Sequence, residues 1–352
     1  MNSADMAAWQ QLQALLGPGS HRLRPVLRHF GSPQNVWRQG ADIDFLTGEE
    51  RRRLANLRQN FVPFTDLPKN CGMVAFGTPG YPAALDDLAN PPALLYFQGD
   101  LSLLQRPVTA VVGSRRIDGY GRQVCGHYAA ALAQAGRVVL SGTALGADSC
   151  AHRAALAAGG KTVAVLPGGF FHPAPVRSAA LLRDIAAAGG LILSEYRLDC
   201  PVQKAGYYQR NRLLAALGRQ LFIPQCGAAG GAQMTADYAL KLGRPVYAAA
   251  GDIFSEHAQG LTALLQKGAR ATASPADMGL APAVPSAAPP PPGSEPDSPL
   301  WPLFAGGRAL LLEEVLAAGG MPPGAAMQAL SRLELEGLLL RRSDGRYAKT
   351  KK

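Results

Sequence analysis

A doubly wound α/β fold with a parallel sheet is predicted for this chain of 352 residues by three observations. From 108 to 274, short β-branched apolar runs alternate with alanine-rich stretches of helical length. Alternation at that spacing builds a parallel sheet with helices on both faces. The run VTAVVGSRRIDGYGRQ at 108–123 passes from strand through a glycine loop into a helix. Each apolar run also ends in Gly, Ser or Pro, and in such folds ligands sit beyond the carboxyl ends of the strands. Strands are expected at 108–112, 138–140, 162–166, 191–193, 221–223 and 246–248. Helices are expected at 122–135, 147–158, 178–188, 211–217 and 234–242.

Ahead of this core, 7–60 reads as short helices. Trp9, Leu12, Leu15 and Leu16 share one face, Gly17-Pro18-Gly19 breaks the pattern, and Leu23, Val26, Leu27 and Phe30 restart it. Two readings stand for the glycine turn: it presents N–H groups to a phosphate, or it belongs to a small packing domain. From 60 to 105 the chain is proline-punctuated and extended, with 73–76 and 91–97 expected to extend or flank the sheet. Beyond it, 275–302 is dense in Pro, Ala and Ser, which makes a semi-extended linker. Helical patterns at 309–318 and 323–336, then extended runs at 338–341 and 345–348 around Ser343-Asp344-Gly345, suggest a small winged helix ending in Lys349, Lys351 and Lys352. The expected domains are 1–60, 61–274 and 303–352, with the linker between the last two.

Composition sets limits. Hydrophobic content of 47% with 7% aromatic describes a core of Ala, Leu and Val. A net charge of +10 points to a polyanion partner, nucleic acid before anionic membrane. The five cysteines form no CxxC pair, so a reduced compartment and no zinc site are expected. No apolar run approaches the ~20 residues of a membrane span, and the N-terminus lacks a signal-peptide pattern. A cytoplasmic protein without membrane contact is expected.

Phosphate chemistry is suggested at two places. Gly113, Ser114, Arg115 and Arg116 follow the first strand, where a helix N-terminus and two guanidinium groups favour an anion. The segment KAGYYQRNRLLAAL at 204–217 sets Tyr207 and Tyr208 beside Arg210, Asn211 and Arg212. Aromatic rings accept an unpaired base at ~1–3 kcal/mol per stacked base, while arginines engage phosphates. The competing reading has one tyrosine plugging the core and the arginines in salt bridges. Asp148 and His152, at i and i+4, suit either a catalytic pair or, with Ser141 before them, the favoured role of capping and orienting the Gly142–Gly146 loop. The six scattered histidines suggest no metal, and no GxSxG, HExxH, Walker or GxGxxG pattern is present.

The blocks VVGSRRIDGYGRQ, SGTALGADSCAH, YYQRNRLLAAL and GGAQMTA…GRPVYAAAGDI together resemble the DprA/Smf family of DNA-processing proteins. The resemblance implies a SAM-like helical domain, a Rossmann-like domain and a winged helix. It implies non-catalytic, sequence-independent binding of single-stranded DNA, homodimerisation, and loading of the RecA recombinase in natural transformation and recombination, with no cofactor. On matched positions, Gly113, Ser114, Arg115 and Arg116 would contact phosphates, with Ser141 and Gly142 lining the same pocket. Lys204, Arg210, Asn211 and Arg212 would follow the strand, with Tyr207 or Tyr208 stacking on a base. The family's dimer contact directs attention to Leu261, Leu264 and Leu265, an apolar stripe that equally suits a core. Two departures stand out: Pro224-Gln225-Cys226 where an acidic residue is usual, and Gly230-Gly231-Ala232-Gln233 in place of a GSL-like block. The alternative class is a nucleotide-binding or nucleoside-monophosphate-hydrolysing Rossmann-like protein. Against it, Pro167-Gly168-Gly169 lacks the Thr–x–x–Glu that such hydrolysis needs.

Overall fold

Four helices open the chain: α1 (Ser3–Leu16), α2 (Leu23–Phe30), α3 (Pro33–Gln39) and α4 (Gly48–Asn60). Thr47 and Glu50 start α4 with a reciprocal capping box. Two strands follow, β1 (Cys71–Ala75) and β2 (Leu94–Gly99). Then strand and helix alternate: β3 (Val108–Val111), α5 (Gly119–Gln134), β4 (Val138–Ser141), α6 (Ala147–Ala157), β5 (Thr162–Val165), α7 (Ala179–Ala187) and β6 (Leu191–Ser194). The series continues through α8 (Lys204–Leu217), β7 (Gln220–Ile223), α9 (Gly231–Lys241), β8 (Val246–Ala249), α10 (Gln259–Gln266) and β9 (Arg270–Thr272). This computed structural model describes residues 3–39, 44–172, 178–251, 255–280, 298–335, 338–342 and 345–350. Residues 281–297 of the expected linker, the Ser343-Asp344 tip, and Lys351 and Lys352 lie outside them. By its contacts the chain divides into two compact units, 1–283 and 284–352.

The nine strands of the first unit form one sheet in the order β1-β2-β6-β5-β4-β3-β7-β8-β9. It is parallel from β6 to β9, and β1 and β2 join antiparallel at the β6 edge. The strand period of two sorts the side chains. Val138, Leu140, Val163, Leu221 and Ile223 face a core beneath α8, α9 and α10. Val111, Val139, Phe222 and Tyr247 face the opposite layer beneath α5 and α6. There Tyr128 of α5 stacks on Phe222 at 4.2 Å, and its hydroxyl meets Thr272 Oγ1 at 2.9 Å.

Three expectations need correction. The α8 helix begins at Lys204 rather than near 211, so both tyrosines are helical. Gly206 permits this by letting the first turn approach Pro167, whose carbonyl oxygen would lie 2.1 Å from any Cβ there. The edge strand β9 was not expected, because two of its three residues are exposed and offer no apolar run. Leu261 and Leu264 belong to the core under α10, at 3% and 0% exposure, and Leu265 alone of that stripe reaches solvent.

The helical segment is fastened to the sheet by polar groups. Gln13 Nε2 donates to the Leu94 and Glu195 carbonyls, and Gly19 N donates to Glu195 Oε1 at 2.9 Å. The glycine turn after α1 is therefore used in packing: its Gly19 N–H is already taken by a carboxylate. That carboxylate also receives Arg212 Nη2 at 2.6 and 2.8 Å, with both side chains almost fully buried.

The second unit carries β10 (Ala309–Leu310), α11 (Leu312–Ala318), α12 (Pro323–Leu335), β11 (Leu339–Arg341) and β12 (Tyr347–Lys349). Its antiparallel sheet runs β10-β12-β11. Leu300, Phe304, Val315, Leu330, Leu333 and Tyr347 form its core. Among the described residues, no helix is long and apolar enough to cross a membrane.

Breaking the Arg212–Glu195 pair from one side strands a buried charge. Arg212→Leu or Glu195→Leu is expected to cost about 3–5 kcal/mol, and the double Leu variant much less than their sum. A double-mutant cycle by chemical denaturation checks this; additive losses would contradict it.

Candidate functional site

The strand order reverses at β3, which pairs with β4 on one side and β7 on the other. The chain builds outward from β3 to β6, then returns along α8 to start again at β7. Loops leaving the carboxyl ends of β3 and β7 must diverge, and a crevice opens between them. Here it is a cleft of about 610 Å³, with Val112–Arg115 on one side, Cys226–Ala232 on the other and α8 as its wall.

Close backbone approach holds the β3 loop. Ser114 N donates to Gln225 O at 2.9 Å, and Ala147 N donates to Ser114 O at 3.1 Å. A Cβ at Gly113 would lie 2.7 Å from Ala147 Cβ, and one at Gly146 would lie 2.3 Å from Ser114 O. Gly146 also has φ +81°, which favours glycine. Gln225, in the first of the two departures, closes the arrangement. Its Oε1 accepts from Asp118 N at 3.1 Å, and its Nε2 donates to Asp118 Oδ2 at 2.9 Å. In the second departure, Gln233 Nε2 donates to Gly260 O at 2.8 Å and ties α9 to α10.

The expected anion site at the start of α5 is occupied from within. Asp118 Oδ1 accepts Gly121 N at 2.8 Å, and that bond, with Gln225, holds the carboxyl below its usual range. Two other helices open on the cleft without a side-chain cap, α8 after Gln203 and α9 after Gly230. Gln203, Lys204, Gly230, Gly231 and Ala232 line the cavity, so the positive dipole ends of both helices lie at it. Lys204 stands in the first turn of α8, where a cation is disfavoured by the dipole, so positive charge is concentrated there.

Arg210, Asn211 and Arg212 are 3%, 6% and 1% exposed, and three consecutive helical residues face three directions. Arg212 turns to Glu195, away from the cleft. Asn211 Nδ2 donates to Gly231 O at 3.2 Å and fixes the start of α9. Arg210 lies flat over Gly142, where a Cβ would be 1.7 Å from Nη1. Its Nη2 is 3.7 Å from Asp148 Oδ2, while Nε and Nη1 have no hydrogen-bond partner. Burial draws the Arg210 pKa down and pushes the Asp148 carboxyl up, each opposed by the other's charge.

As expected, Asp148 and His152 shape the loop between β4 and α6. Asp148 Oδ2 accepts Ala144 N at 3.1 Å, and the Gly142 carbonyl accepts from His152 Nε2 at 2.8 Å. Burial drives the His152 pKa down to about 4.

The cleft therefore gathers Gly113, Ser114, Arg115, Lys204, Tyr207, Tyr208, Arg210 and Asn211. Arg116, Ser141, Gly142 and Arg212 do not line it. Arg116 points elsewhere from the same loop. Ser141 is fully buried and donates to Val111 O at 2.6 Å. Gly142 serves as the bed of Arg210, and Arg212 is committed to Glu195. The two tyrosines differ: Arg115 Cζ sits 4.7 Å over the Tyr207 ring, whereas Tyr208 is 41% exposed. Sequence reasoning did not single out Val202 or Gln203 as lining, and nothing in their residue types marks them. The Pro167-Gly168-Gly169 loop is consumed in packing, since a Cβ at Gly169 would lie 2.3 Å from the Arg197 and Leu198 carbonyl oxygens. Among the described residues, no cluster of three His, Cys, Asp or Glu could hold a metal.

His152 stays neutral in the fold but charges in the unfolded chain below about 6.5, so unfolding takes up a proton between there and about 4. Its contribution to stability is lost as pH falls through that window. The stability difference between wild type and His152→Gln is expected to move against the wild type with falling pH. Urea midpoints across the window measure it, and a constant difference would contradict the assignment.

A family model described as DNA recombination-mediator protein A matches residues 72–280. The putative DNA processing protein DprA of Mycobacterium tuberculosis is 31% identical over 333 residues, covering 92% of this chain and 83% of its own. DNA processing protein DprA of Bacillus subtilis is 36% identical over 199 residues, 56% of this chain and 67% of its own. The crystal structure of DNA processing protein A from Streptococcus pneumoniae aligns with a TM-score of 0.65 at 28% identity, covering 76% of this chain and 95% of that one. The Helicobacter pylori protein, solved to describe its single-stranded DNA binding mode, aligns with a TM-score of 0.54 at 32% identity, covering 59% of this chain and 93% of that one.

Proposed function

This chain belongs to the DprA/Smf family of DNA-processing proteins, and from that membership we propose that its cleft binds single-stranded DNA through phosphates, without sequence preference and without catalysis. One observation carries the reading: Arg210, nearly buried, lines the cleft, and its Nε and Nη1 have no hydrogen-bond partner. A buried donor without a partner is costly, and an anionic oxygen is the partner that relieves it best. Ser114, Arg115, Lys204 and the open ends of α8 and α9 converge on the same volume. A phosphodiester supplies such oxygens repeatedly.

Single strands are favoured over duplex because Tyr208 presents an exposed ring at the cleft, and only an unpaired base offers its face to one. We assign the stacking role to Tyr208, since Arg115 covers one face of Tyr207. The Helicobacter pylori relative's single-stranded DNA binding supports the same ligand here. Delivery of the strand to a RecA recombinase, homodimerisation and a cytoplasmic setting in transformation are proposed on family membership. On this chain the support for self-association at α10 is the exposed Leu265. The helical and C-terminal segments are proposed as the family's SAM-like and winged-helix modules.

Titrating a single-stranded and a duplex oligonucleotide at two salt concentrations tests the reading. Single strand should bind more tightly, with log K falling by ~0.7 per neutralised phosphate per unit log salt. Equal affinities or a flat salt response would contradict it.

The two kinds of contact separate by substitution. Arg115→Ala is expected to weaken binding and flatten the salt slope by about one contact. Tyr208→Ala should weaken binding by ~1–3 kcal/mol at unchanged slope, with Tyr208→Phe nearly neutral. Full affinity of folded Tyr208→Ala would remove the stacking role.

A further inference from the structure

The loop after β3 has a second side. Arg115 borders the first cleft, and with Arg116 it also borders another concavity, of about 610 Å³, between the start of α5 and the outer face of α6. Arg122 and Arg153 complete a set of four arginines there, with Ser149 and Cys150 between them. All four are exposed, no Asp or Glu is among the lining residues, and among the described residues none of the four forms an ion pair. Arg122 is braced, since its Nη1 donates to Ile117 O at 2.9 Å and its carbonyl accepts the Cys150 thiol at 3.5 Å. On α6, Ser149 and Arg153 are one turn apart and Cys150 is beside them, so these groups share a stripe. Ile117, Gly146, Ala154 and Ala157 complete the lining, and no aromatic ring is among them.

Four unpaired like charges around one concavity repel one another, and a polyanion removes that repulsion. The charge favours phosphates, and no aromatic ring is there to stack a base. Because Arg115 belongs to both concavities, one strand passing over it reaches both.

We propose that this concavity is a second, backbone-only subsite, in which Arg116, Arg122 and Arg153 hold the phosphates of a single strand continuing out of the first cleft. The inference rests on the first cleft binding single strands. It makes the protein's footprint longer than that cleft, with the added length read only as charge.

The test compares wild type with Arg122→Ala/Arg153→Ala, both positions being exposed and outside the cores, using a short oligothymidylate that fills only the first cleft and one several times longer. The short oligonucleotide should bind both proteins equally. The long one should bind the variant several-fold more weakly, with a salt slope flatter by about 1.4, that is, two contacts at ~0.7 each. Arg122→Lys/Arg153→Lys should restore the slope. Cys150 gives an independent readout on the unaltered chain. The neighbouring Cys125 thiol and Arg122 bring its pKa down to about 7 against the effect of burial, so it reacts with a maleimide near neutral pH. Mass spectrometry of the Cys150 peptide should show protection by the long oligonucleotide and none by the short one. An unchanged slope for the long oligonucleotide, equal weakening of both lengths, or no protection of Cys150 would overturn the second subsite. Failure of the wild type to bind either length would instead overturn the reading of the first cleft.

Discussion

Two arginines on opposite sides of one helix govern this structure. Arg212 and Arg210 are both nearly buried on α8, yet they are paired very differently. Arg212 meets Glu195 through two short bonds, and the same carboxylate receives the Gly19 N–H. That pair locks the helical segment, β6 and α8 to one another. Arg210 has only a 3.7 Å approach to Asp148 and keeps two atoms without partners. A short, doubly bonded buried pair fixes geometry even though Arg212 Nε has no partner of its own, whereas a loosely held one keeps a cation ready for an anionic ligand. The first positions the second, because both ride on the same rigid helix.

The rest of the cleft follows from how closely backbones approach at the switch point. Gly113, Gly142 and Gly146 have no room for a Cβ, so the β3 loop, the Arg210 guanidinium and the start of α6 are in direct contact. Gln225 then joins the two diverging loops through the Asp118 side chain and main chain. A carboxylate at 225 would lack the N–H that Gln225 gives to Asp118. The neutral amide suits a loop whose helix cap is already acidic.

Much of the architecture was legible because burial on both sheet faces leaves a strong mark. The β-branched runs located β3 to β8 to within a residue or two, since parallel strands covered on both sides must be apolar throughout. The start of α8 was not legible, because its first two turns carry Gly206, two tyrosines and polar residues, with no apolar period. Side-chain direction was the larger gap. Sequence placed Arg210, Asn211 and Arg212 near phosphates as a group, but a helix turns ~100° per residue and sends each to a different neighbour. Of the two arginines, Arg210 lines the cleft and Arg212 does not, although each keeps a buried guanidinium nitrogen without a partner. Likewise Leu261, Leu264 and Leu265 looked equivalent, and the seating of α10 on β8 and α9 divides them.

The central claim is that the cleft retains a poorly satisfied buried arginine because a phosphate completes it. Measuring both unfolding and short-oligonucleotide affinity for Asp148→Asn/Arg210→Met tests it most directly, since the pair of substitutions removes both charges together. The unfolding midpoint should be equal to or above that of wild type, because a half-satisfied buried ion pair contributes little or negatively. Affinity for the short strand should fall by about tenfold or more, the scale of a lost charge-assisted hydrogen bond. A variant that binds the strand as tightly as wild type would contradict the account.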